Sequence, residues 1–73
     1  MRPADLQWLD TYDELRHFLA DHGRYPNATY ASPVERRLRS WISTQRNAHA
    51  GIGTATLTAE RAALLEDLPD WRW

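Results

Sequence analysis

The sequence contains no cysteine, which excludes disulfide staples and thiolate metal sites together. It has no apolar run approaching the ~20 residues of a membrane span, and nothing in it follows a signal-peptide pattern. The expected compartment is therefore the cytoplasm, with no membrane partner. Neither sign of charge dominates: ten acids against nine bases give a net charge of −1, which argues against a strong, general nucleic-acid binder. Asn27-Ala28-Thr29 fits the glycosylation acceptor pattern, but without a secretion signal the match reads as chance. Catalytic constellations are missing too. No serine sits in a nucleophile elbow, and the adjacent acids Asp13-Glu14 and Glu66-Asp67 diverge on a helix. His17, His22 and His49 lack metal-ligand spacing, since His17 and His22 are five apart and share no helix face as an i,i+4 pair would. A chain of 73 residues also has little room for a deep pocket. No enzyme activity, cofactor, metal or small-molecule substrate is expected.

What is present is aromatic. Four tryptophans, three tyrosines and one phenylalanine must supply much of the core, because a domain this small buries only about 60% of the surface its unfolded chain exposes. Charge is present as well, but segregated. Residues 3–21 hold five acids and one arginine, residues 33–49 four arginines and one acid, and residues 58–73 four acids and two arginines. A neutral chain can still present one basic face. The plainer alternative is that the charges pair between helices.

The basic stretch organises the rest. Ser32 is a good N-cap, Pro33 suits the first helical position, and Glu35 completes a Ser-x-x-Glu capping box. Val34, Leu38, Trp41, Ile42 and Gln45 fall on one side of a helix and are expected to be buried, with Trp41 in the core. Arg36, Arg39, Ser43 and Arg46 follow at spacings of three, four and three along an adjacent, solvent-facing stripe.

Before this helix, which runs over 33–49, the spacing of Trp8, Tyr12, Leu15 and Leu19 predicts a first helix over about 3–20, with Phe18 widening its stripe and Leu6 and Leu9 off it. Gly23 is the expected stop. Residues 23–32 are turn chemistry, with Tyr25 extended before Pro26 and both Tyr25 and Tyr30 expected to fold back on the core. Residues 50–56 form a second connection, and Gly51-Ile52-Gly53 lacks the lysine of a phosphate-cradling loop. Thr58 caps a third helix over about 58–68, with Arg61, Leu64, Leu65 and Leu68 inward and Pro69 as the stop. Asp70-Trp71-Arg72-Trp73 then invites stacking. The abrupt ending there is expected of a module cut from a longer polypeptide. The expectation is an all-α, three-helix bundle forming a single small domain over residues 1–73.

The order Trp8, Leu15, Phe18, His22-Gly23, Pro26, Leu38-x-x-Trp41, Gln45-Arg46, Leu57, Glu60-Arg61, Leu64-Leu65, Leu68 and a final Trp71 or Trp73 resembles the helicase-associated domain. This all-helical module is found beside bacterial helicase domains, often in tandem copies. The likeness spans nearly the whole chain and is most specific at Trp41-Ile42-Ser43-Thr44-Gln45-Arg46, which resembles the family's W-x-x-x-Q-R core. It implies three helices, a helicase motor or tandem copies in the parent chain, and a nucleic-acid-binding role. Arg39 stands where the family usually has glycine, and the chain is less basic than members tend to be. If the surface meets phosphate, Arg39 adds to it.

Arg36, Arg39 and Arg46 are accordingly the leading contacts to DNA or RNA, since the guanidinium fork matches phosphate and stacks on bases. Arg24, Arg37 and His49 extend the patch, and Tyr25, Tyr30 or Trp73 would add stacking surfaces if exposed beside it. Gln45 has two readings: a buried amide tying the helix to a loop, or a contact to a base or phosphate. The expected function is a non-catalytic accessory module with weak, sequence-independent nucleic-acid binding. The rival is a protein-interaction or spacer domain docking through Leu6, Leu9 and the Trp71–Trp73 tail.

Overall fold

The computed structural model describes residues 4–27, 32–53 and 56–73. The fold is all-α, with three helices and, among the described residues, no strand: α1 (Ala4–His22), α2 (Pro33–His49) and α3 (Ala59–Glu66). α1 ends at His22 instead of near residue 20, and α3 stops at Glu66, short of the expected 68. The chain divides into two compact units, Met1–Arg39 and Ser40–Trp73, and α2 enters both.

In the first unit, α1 buries Trp8, Tyr12, Leu15 and Phe18 at spacings of four, three and three, which is one helix face. Phe18 takes the place expected for Leu19, which is only half-buried. Trp8 and Tyr12 lie 5.5 Å apart between ring centroids, tilted by 41°. Gly23 closes α1 in the left-handed region, φ 66°, and its N–H donates to the Leu19 carbonyl at 2.9 Å. Glycine takes this conformation without the Cβ clash that other residues meet. Tyr25 is half-buried and Pro26 buried. Tyr30 lies outside the described residues.

The start of α2 differs from expectation in two ways. Val34 is 47% exposed and Glu35 is buried at 4%, so the inward stripe is Glu35, Leu38, Ile42 and Gln45, at spacings of three, four and three. A carboxylate holds a core position because Arg24 meets it: an Arg24 Nη donates to Glu35 Oε1 at 2.6 Å. That partner also breaks the capping box. The Glu35 N–H donates to Ser32 Oγ at 3.4 Å, but the Glu35 side chain goes to Arg24, and its Oε2 has no hydrogen-bond partner among the described residues. A charge-assisted bond to a guanidinium outcompetes one to a neutral amide.

In the second unit, Ile42, Gln45, Leu65 and Leu68 are buried, Leu65 completely. Trp41, expected in the core, is half-buried; it sits on the edge of the inward stripe. α2 closes on Gly51: the Gly51 N–H donates to the Ala48 carbonyl at 3.2 Å and the Ile52 N–H to the Asn47 carbonyl at 2.8 Å. This pair of bonds caps orphan carbonyls of the last turn. Thr58 caps α3 by accepting the Arg61 N–H at 3.2 Å. After α3 the Leu68 N–H reaches the Leu65 carbonyl at 3.0 Å, which continues the curl and buries Leu68. Asp70 then adopts φ 57°, left-handed without being glycine.

Candidate nucleic-acid interface

α2 spaces its arginines along one stripe because 3, 4 and 3 residues return a helix to nearly the same azimuth. Arg36 and Arg39 are exposed, and Ser43 and Arg46 are half-buried. Arg39 makes no ion pair among the described residues.

Arg46 is held by groups that carry no charge. Its Nε donates to the Arg72 carbonyl at 2.8 Å, and its guanidinium carbon lies 5.3 Å from the centroid of the Trp71 ring. A cation over an indole face is attracted by the ring quadrupole without losing its charge. The tail beyond Asp70 supplies both groups. Trp73 stacks on His49 at 3.9 Å and 10°, meets Trp71 edge-on at 5.3 Å and 86°, and donates from Nε1 to Glu66 Oε2 at 3.2 Å.

Two other candidates, Arg24 and Arg37, have charged partners. Arg37 pairs with Glu14 of α1 through an Nη–Oε2 contact. Arg24 pairs with Glu35, reaches the Tyr25 carbonyl at 3.3 Å, and lies 5.4 Å from the Phe18 ring centroid. Arg24 is committed inside the fold, whereas the Arg37–Glu14 pair lies on the surface. Gln45 is only 6% exposed, so its amide does not stand on the surface with the arginines. Tyr25 is half-buried, whereas Trp73 is 37% exposed.

Two features escaped sequence reasoning. Nothing in the pattern marked Glu35 as buried, because its partner Arg24 lies eleven residues upstream, outside α2. The His49–Trp73 stack did leave a signal: His49 follows Leu38, Ile42 and Gln45 at spacings of four, three and four, placing an aromatic ring at the end of the inward stripe. Among the described residues no group of three His, Cys, Asp or Glu could hold a metal ion, and no helix is long and apolar enough to cross a membrane.

A family model described as the helicase associated domain matches residues 5–73. The chain belongs to that family. The match spans both units and contains the arginine stripe and the aromatic tail. No curated protein and no solved structure matches this helicase-associated domain. Membership points to an accessory module of helicase-type proteins.

Proposed function

We propose that this helicase-associated domain is a non-catalytic accessory module that helps a helicase-type protein hold nucleic acid, weakly and without reading sequence, through arginines of α2. The observation that supports this is the split among those arginines. Arg37 is neutralised by Glu14, whereas Arg39 makes no ion pair among the described residues and Arg46 is steadied by a carbonyl and an indole. Phosphate contacts from such groups fix a strand without distinguishing bases. With Arg36 included, about three contacts give a slope near −2 to −3 for log affinity against log salt. Affinity for an isolated copy is weak, and linked copies gain through effective concentration.

The test is titration of labelled single- and double-stranded DNA and RNA at low salt, with wild type and Arg36→Ala/Arg39→Ala/Arg46→Ala. Binding that falls in a folded triple variant supports the reading; absence of binding, or equal binding by the variant, removes it. One observation favours a second reading, that of a protein-interaction or spacer domain: Leu6 and Leu9 are each 45% exposed, three apart on α1. Loss of association with a neighbouring domain on Leu6→Ser/Leu9→Ser, with nucleic-acid binding absent in wild type, would establish that alternative.

A further inference from the structure

We infer that the His49–Trp73 stack is a base-binding platform, so that the nucleic acid this domain takes is single-stranded. The inference rests on the nucleic-acid reading above and adds a contact of a different kind, to bases instead of phosphates. Three observations in the second unit carry it. First, the two rings are already parallel and close, 3.9 Å between centroids and 10° between planes, which is the geometry in which a further flat ring extends a stack. Second, the pair is accessible: His49 is exposed and Trp73 is 37% exposed. Third, the indole is fixed beforehand. Its N–H is tied to Glu66 at 3.2 Å, Trp71 braces it edge-on, and the Arg46 bond to the Arg72 carbonyl pins the backbone one residue away. A platform held in place loses little freedom when a base arrives.

The local charge explains why stacking, and not another phosphate clamp, is the contribution of this end. Glu66 touches the Trp73 ring and Asp70 lies three residues before it, and both disfavour a polyanion approaching phosphate-first. A base has a π-face whatever its identity, so stacking tolerates every sequence and is indifferent to those carboxylates. Arg46 and the exposed Arg72, which has no ion pair among the described residues, are left to meet the flanking phosphates. Duplex bases are already stacked on one another and cannot enter.

The experiment compares oligo-dT with an abasic strand of equal length and charge, and with a duplex, by tryptophan fluorescence quenching and anisotropy. Wild type is expected to bind oligo-dT about ten-fold tighter than the abasic strand, the order expected of one base–aromatic stack, with quenching only by oligo-dT. Trp73→Leu, which stays apolar but has no π-face, should erase the difference; Trp73→Phe should restore most of it; His49→Ala should reduce it. Arg36→Ala/Arg39→Ala, which leaves Arg46 and its hold on the tail intact, should weaken both strands alike. Equal binding of the two strands by wild type, or a difference that survives Trp73→Leu and His49→Ala, overturns the platform and leaves the arginine reading standing. Failure of wild type to bind any strand overturns both.

Discussion

In residues 1–39, Glu35 takes Arg24 and Glu14 takes Arg37; in residues 40–73, Arg46 is held by the Arg72 carbonyl and the Trp71 face. The first arrangement cancels charge. The second fixes the direction of a side chain and leaves its charge in place. A carboxylate partner satisfies a guanidinium both geometrically and electrostatically, so little remains for a ligand. A carbonyl and an indole satisfy only the geometry. Counting arginines on a helix therefore says little about an anion-binding surface until the partners are known.

The largest test of this contrast removes the packing beneath each half. Leu15→Ala and Leu65→Ala delete side chains with no exposed surface and should each lower stability by about 2–5 kcal/mol, enough for thermal melts to show loss of fold in so small a domain. Next, Arg24→Met strands the buried Glu35 carboxylate. The expected loss is about 2–3 kcal/mol, below that of a fully buried pair because the Arg24 side chain is 39% exposed. Adding Glu35→Leu should recover much of it, and a double variant as unstable as Arg24→Met would refute the account. Thr58→Ala removes the acceptor that caps α3 and should cost about 1 kcal/mol by chemical denaturation.

The finer predictions separate the arginines by partner. Arg39→Ala and Arg46→Ala should each make the salt slope shallower by about 0.7–0.9, whereas Arg37→Ala should leave the slope unchanged. The smallest effect belongs to Glu14→Gln. It dissolves an exposed pair worth about 0.2–1 kcal/mol and releases Arg37, so affinity for a strand should rise slightly. Equal slopes for Arg37→Ala and Arg46→Ala would erase the distinction between the two halves.

Most of the architecture was readable because helical periodicity and terminators act locally. Gly23 stops α1, Thr58 starts α3, and Leu15, Leu38 and Leu65 mark inward faces within a few residues of their neighbours. The candidate interface was read less well, because it depends on partners far apart in sequence. The α2 stripe follows from spacing alone, but the capture of Arg24 by Glu35 and Arg37 by Glu14 joins residues 11 and 23 positions apart. Val34 illustrates the same limit: hydrophobicity placed it inward, yet a paired Glu35 occupies the core position and leaves Val34 47% exposed. Trp41, assigned to the core from its neighbours, is shared between core and surface.

Asp70 sets the direction of the tail by handedness. At φ 57° an L-residue strains its Cβ against the backbone, a conformation that glycine, asparagine and aspartate tolerate best. The reversal that returns the tail to the end of α2 thus depends on which mirror-image region one α-carbon can enter. Saturation of this position should leave few acceptable letters, sorted by backbone shape and not by polarity, with valine and isoleucine among the worst. The stack of His49 and Trp73, 24 residues apart in sequence, is in this sense aimed by a stereocentre three residues before the indole.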